Sequence, residues 1–153
     1  MTPALLWLAV TGSTPARSQT TTVTPMRDAT PQLRVLVIDD GVDNAEALCF
    51  LLGVMECRTA VAFGGTQGIA AAAGFDPHLA FIDLEMPGMG GCEVARHLRA
   101  SDPNGTARLI CLTGRVEPDD RRTCMDAGFD DFFTKPMTPE SLANVVAASR
   151  AAL

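Results

Sequence analysis

The sequence has no CxxC pair, no surplus of basic residues, no apolar run long enough to cross a bilayer and no internal repeat. Each absence removes a class of protein. Thiolate metal ligands come in close pairs, whereas Cys49, Cys57, Cys92, Cys111 and Cys124 are scattered and odd in number. They read as free buried thiols of a reducing compartment, so a cytoplasmic protein is expected and a cysteine metal or redox centre is not. A net charge of −6 and a pI near 4.7 argue against direct nucleic-acid binding. The apolar stretch Leu5–Val10 is too short for a span and lacks the preceding Lys or Arg of a signal peptide, so no membrane association is expected. The only histidines, His78 and His97, read as surface residues, His97 lying between Arg96 and Arg99.

At 153 residues there is room for one domain. Residues 1–32, rich in Thr, Ser and Pro, read as a disordered tail, or as an upstream start codon with translation beginning at Met26. Residues 33–153 read as the domain. An uninterrupted apolar run predicts a first strand over 34–39, covered on both faces, and further strands are expected over 57–62, 78–83, 108–113 and 131–134. Helical spacing predicts helices over 43–55 and 91–100, and a small Ala-rich helix over 65–73 ended by Gly74. A further helix opens at Pro118 and closes on Gly128. The last begins Thr138-Pro139-Glu140, a capping hydroxyl followed by a first-turn proline and an acid. Five strand–helix units with short connections make a doubly wound α/β parallel sheet. The chain stops with the fifth helix, so no output domain is expected.

The polar residues of this pattern sit at strand ends. Asp39 and Asp40 end the first strand, Asp83 the third and Thr113 the fourth, and Lys135 follows the fifth. In open α/β sheets ligands bind beyond the carboxyl ends of the strands, where strand order reverses. With the flavodoxin-like order 2-1-3-4-5, Asp39, Asp40 and Asp83 converge there. Three clustered carboxylates repel one another, and a cation relieves that; few protein oxygens suit Mg²⁺. Lys135 and Thr113 can then hold an anion, such as a phosphoryl group, against Asp83.

Asp39-Asp40, Phe81-Ile82-Asp83-Leu84-Glu85-Met86-Pro87-Gly88, Thr113-Gly114 and Lys135-Pro136, set in a fivefold βα pattern, resemble the receiver domain of two-component response regulators. Residues 109–137 are similar to receivers that work with hybrid histidine kinases. The resemblance implies a flavodoxin-like (βα)5 fold and a phosphoacceptor, Asp83, that assists its own phosphorylation and dephosphorylation without being a turnover enzyme. It implies Mg²⁺ held directly by Asp40, with Asp39 close by or acting through water, by Asp83 and by the backbone carbonyl of Glu85. Lys135 neutralises phosphoryl charge and Thr113 bonds a phosphoryl oxygen. Thr113 and Phe132 then form a switch read on the face of the fourth helix, fifth strand and fifth helix. The implied partners are a histidine kinase or histidine phosphotransfer protein and an unnamed downstream protein, with a phosphorylation-dependent homodimer left open.

Gly41, Gly90 and Gly114 depart from residues common in that family. Glu85 and Arg115 flank the path of a hydrolytic water and are expected to pair and partly shield the phosphoryl group. Two other readings stay open. One is an aspartyl-phosphate phosphatase with Glu85 as general acid, opposed by the acid pair on another strand and by the absence of a cap insertion. The other is a receiver-like scaffold that is never phosphorylated. No Ser/Thr-rich phosphate loop follows the first strand, which counts against a flavin site.

Overall fold

The computed structural model describes residues 31–153; the expectations for the first 30 residues lie outside the described part. Strands β1 (Arg34–Ile38), β2 (Arg58–Ala62), β3 (Leu79–Asp83), β4 (Arg108–Thr113) and β5 (Asp131–Thr134) alternate with helices α1 (Val42–Val54), α2 (Gly65–Phe75), α3 (Gly91–Ser101), α4 (Asp120–Ala127) and α5 (Pro139–Ala151). All strand pairs are parallel, in the order β2-β1-β3-β4-β5. This is the doubly wound flavodoxin-like sheet expected from the sequence.

Side-chain parity divides the sheet into two cores. Val35, Val37, Leu79, Phe81, Ile110 and Leu112 face α1 and α5, where Ala45, Leu52, Leu142 and Val145 meet them. Leu36, Ile38, Ala80, Ile82, Leu109, Cys111 and Phe132 face α2, α3 and α4. Phe133 packs on the α1–α5 side, opposite Phe132. Burying a large aliphatic or aromatic side chain contributes about 1.5–3 kcal/mol, and Leu79, Phe81 and Ile82 are all fully buried. The third strand is therefore firmly seated, and the acid at its end has little positional freedom.

Element boundaries follow the expectations within one or two residues, although α2 does not stop at Gly74. That helix passes through Gly74 to Phe75, and its stop is Asp76 in the left-handed conformation at φ 50°. Asp tolerates this region better than most residues, and Arg34 fixes it with a 2.9 Å ion pair to its carboxylate. Thr138 caps α5 by accepting the Ser141 N–H, and Gly128 closes α4 at φ 108°. Pro118 stands two residues before the first helical residue of α4. His78 is half-buried, not a free surface residue: its Nδ1 accepts the Arg34 N–H at 3.0 Å, and burial pushes its pKa down. His97 is exposed.

Candidate functional site

Parity and register build the site. Asp39, Asp83 and Lys135 continue the odd-numbered, α1–α5-facing rows of their strands, so their side chains lean toward one another. Thr113 continues the row of Cys111 and belongs to the opposite face. The Val37↔Phe81 and Ile38↔Ile82 pairings bring Asp39 and Asp83 to the same level. The Lys135 N–H donates to the Thr113 carbonyl at 2.7 Å, holding the segment after β5 against the end of β4. The Lys135–Pro136 peptide is cis.

From there Lys135 Nζ reaches Asp39 Oδ2 at 2.6 Å and Asp83 Oδ1 at 3.1 Å. Asp39 and Asp83 are buried, whereas Asp40 is exposed. Both oxygens of Asp39 are engaged, since Oδ1 accepts the Gly41 N–H at 2.9 Å. Both contacts of Asp83 fall on Oδ1, which faces Lys135 and accepts a long bond of 3.4 Å from the Glu85 N–H.

The electrostatics follow from this crowding. Burial, with Asp39 alongside, pushes the Asp83 carboxyl up to about 6, while Lys135 and the Glu85 N–H restrain the rise. Burial works against the Lys135 charge, yet its bonds to Asp39 and Asp83 together hold its pKa above the usual lysine value. One oxygen from each of Asp39, Asp40 and Asp83 lies within 4.8 Å of the others. Adjacent oxygens on a Mg²⁺ ion lie about 3 Å apart, so these three carboxylates could hold such a cation once drawn closer around it.

Asp39, Asp40, Asp83, Glu85, Thr113 and Lys135 all lie at this end of the sheet, whereas His78 lies at the opposite end, before β3. Two of the site residues are engaged differently from expectation. Lys135 makes its shorter contact with Asp39, not Asp83. The Thr113 hydroxyl, in a residue with no exposed surface, turns into its own loop: it donates to the Arg115 carbonyl at 2.6 Å and accepts the Arg115 N–H at 3.2 Å. Glu85 and Arg115 are both exposed, and among the described residues no ion pair joins them, contrary to the expected shield. The cysteines are less scattered than the sequence suggests, because Cys111 and Cys124 bring their sulfurs to 3.2 Å.

Sequence reasoning also missed Gly91. A Cβ there would stand 2.3 Å from the Asp83 carbonyl oxygen, so only glycine lets the first turn of α3 close on the end of β3. The Gly91 N–H donates to the Leu84 carbonyl at 2.9 Å and fixes the loop that follows Asp83. The Gly90-Gly91 pair was the available signal.

The chain is 36% identical over 119 residues to the DNA-binding response regulator MtrA of Mycobacterium tuberculosis, covering 78% of this chain and 51% of the relative. It is 29% identical over 119 residues to hybrid signal transduction histidine kinase L of Dictyostelium discoideum, covering 74% of this chain and 7% of that protein. It thus spans about half the length of the first relative and a small part of the second. Among solved structures it is similar to the chemotaxis protein CheY4 of Vibrio cholerae, with a TM-score of 0.72 at 21% identity, covering 77% of this chain and 98% of that one. The CheY-like receiver domain protein of Methanospirillum hungatei superposes with a TM-score of 0.73 at 22% identity, covering 78% of this chain and 94% of that one. Residues 35–147 match the response regulator receiver domain family, and a match of that extent settles kinship: the chain belongs to the response regulator receiver domain family.

Proposed function

We propose that Asp83 is the phosphoacceptor of this receiver, taking a phosphoryl group from a phosphohistidine on a histidine kinase or phosphotransfer protein. The observation that carries the reading is the seating of Lys135 Nζ between two buried carboxylates, Asp39 and Asp83. An ammonium held there faces the anion that Asp83 would carry. With its carboxyl near 6, Asp83 is mostly ionised at neutral pH and needs no general base. Oδ2, free of the contacts on Oδ1, attacks phosphorus in line; the P–N bond breaks and its electron pair returns to the imidazole.

Asp40, Asp83 and the Glu85 backbone carbonyl would hold Mg²⁺, which supplies neutralisation of charge on the phosphoryl oxygens. That Asp39 has both oxygens engaged while Asp40 is exposed supports Asp40 as the direct ligand and Asp39 as the holder of Lys135. Thr113 leaves its Arg115 contacts to donate to a phosphoryl oxygen. Phe132, buried on the same face, responds to the space so changed, and the surface of α4, β5 and α5 is what a downstream protein reads. The phosphatase reading has less support, since Glu85 is exposed and makes no side-chain bond toward Asp83.

The test is incubation of the full chain with acetyl phosphate and Mg²⁺, followed by intact mass and an acyl-phosphate chemical probe. One phosphoryl group on the wild-type chain and none on Asp83→Asn is the expected result. Label retained on Asp83→Asn would overturn the assignment, and so would turnover of a small phosphate ester as a substrate.

A further inference from the structure

Three of the five cysteines belong to neighbouring elements on one face of the sheet. Cys92 lies in the first turn of α3, Cys111 in β4 and Cys124 in α4. Cys111 and Cys124 are fully buried, and their sulfurs stand 3.2 Å apart. A disulfide bond is about 2.05 Å long, so the two sulfurs need to approach by roughly a further 1.2 Å to join. Neither thiol makes a hydrogen bond to a residue of the phosphoacceptor site, and the two are the hydrogen-bonding partners of each other.

We propose that Cys111 and Cys124 form a redox-sensitive modification site, oxidised by a hydroperoxide to a disulfide that fastens α4 to β4. In the first step a cysteine sulfur attacks the peroxide; the O–O bond breaks, an alcohol or water leaves, and a sulfenic acid remains. The second sulfur attacks the sulfenic sulfur, the S–O bond breaks and water leaves. Each sulfur gives up one electron, and the two peroxide oxygens take up the pair. Access comes from α4, the shortest helix of the domain. Only Cys124 and Ala127 of its eight residues are buried, and its N-cap has no side-chain bond. Burial pushes the Cys111 thiol up, and with Cys111 and Cys124 both fully buried their oxidation waits on opening.

The consequence rests on the proposed phosphoacceptor role. Cys111 lies two residues before Thr113 on the same face of β4 and pairs in register with Phe132. A covalent tie from it to α4 fixes the element that would shift when Thr113 and Phe132 respond to a phosphoryl group. Oxidation therefore disconnects the α4 surface from Asp83.

The experiment uses the full chain, reduced with a phosphine, freed of reductant and treated with hydrogen peroxide. Remaining thiols are then alkylated and the protein is digested with trypsin. Cys92, Cys111 and Cys124 fall in three different tryptic peptides, ending at Arg96, at Arg115 and beyond Thr123. The expected product links the Cys111 and Cys124 peptides and leaves Cys49, Cys57 and Cys92 alkylated. It is lost in Cys124→Ala and in Cys111→Ala and kept in Cys92→Ala. Because the map is read on the wild-type chain, failure of one variant to fold does not blunt it. No disulfide, or one joining Cys92 to Cys124, overturns the proposal.

Beryllofluoride with Mg²⁺, followed by amide spectra of α4, then tests the consequence. The oxidised protein should bind about fivefold or more weakly, the size of a typical coupling between sites. An unchanged response overturns the disconnection. A reduced protein with no beryllofluoride response counts instead against the phosphoacceptor reading, while the peptide map still decides the thiol pair.

Discussion

Lys135 Nζ donates to Asp39 Oδ2 at 2.6 Å, joining groups 96 residues apart in the chain. The bond makes Lys135 a structural counterion as well as a candidate phosphoryl ligand. Its removal leaves two buried carboxylates without a cation. In Lys135→Met we expect the Asp83 carboxyl to rise further above 6, because the first restraint on it is gone. Protonation of Asp83 limits the damage, so the loss at pH 7.5 should be about 1–2 kcal/mol, below the full cost of a broken buried pair. Urea denaturation measures the loss, and carbonyl NMR of Asp83 measures the titration. Stability equal to wild type would show that the 2.6 Å contact holds nothing. Lys135→Arg should not restore phosphorylation, since a planar fork cannot take the place of a point charge between two acids.

Asp83 itself should destabilise the metal-free fold at neutral pH. Its folded-state pKa, about 6, lies above the ordinary 3.8. The folded state therefore favours the protonated acid, and this favourable contribution is complete below about 3.8 and lost as pH rises through 6. Asp83→Asn imitates the protonated form at every pH. Carried through in full, the displacement corresponds to about 3 kcal/mol, and water at the site mouth reduces it to about 1–2 kcal/mol. We expect Asp83→Asn to be more stable than wild type by that amount at pH 8 and equal to it at about pH 4. An equal difference at both pH values would mean that packing, not charge, separates the two proteins.

The two adjacent acids should respond differently to Mg²⁺. Asp40→Asn removes an exposed carboxylate with no structural bond, so the fold should hold while Mg²⁺ affinity falls about tenfold, roughly 1.4 kcal/mol. Asp39→Asn removes the anchor of Lys135, so the metal-free protein should lose stability as well. Mg²⁺ should raise the melting temperature of the wild type more at pH 8 than at pH 5, because a proton competes for Asp83 below about 6. Calorimetric titration separates the cases. Equal Mg²⁺ affinity in Asp40→Asn and wild type would remove Asp40 from the ligand set.

How much of this was legible in sequence depends on distance along the chain. Asp39, Asp83 and Thr113 could be placed because each ends an apolar run, and a strand end fixes both position and parity. The Lys135–Asp39 bond could not, since it depends on the relative heights of the ends of β1 and β5 across the sheet. The contact of Cys111 with Cys124 depends on where α4 settles on β4, which no spacing rule supplies. At α2 the competing signals were Gly74 and Asp76-Pro77. Glycine is the usual stop, but Phe75 gains burial by staying helical, and the ion pair with Arg34 stabilises the left-handed Asp76. The expected Glu85–Arg115 pair fails for a related reason: the Arg115 backbone is tied to the Thr113 hydroxyl, and its side chain extends into solvent.

That tie makes Thr113 a separable test of signalling. In the described conformation its hydroxyl is satisfied by the Arg115 backbone, so it must exchange those bonds to reach a phosphoryl group on Asp83. Thr113→Ala loses a bonded hydroxyl at a fully buried position, a cost of about 1 kcal/mol. It leaves Asp39, Asp40, Asp83 and Lys135 in place. We therefore expect phosphorylation of Asp83 within a few-fold of the wild-type rate, while the α4 and β5 amides no longer shift when beryllofluoride binds. Thr113→Ser keeps the hydroxyl and should keep the shifts. Phe132→Leu, which preserves burial but not the ring, should bind beryllofluoride and give an altered pattern confined to α4, β5 and α5. Normal α4 shifts in Thr113→Ala would mean that the phosphoryl group reaches that surface by a route other than the hydroxyl.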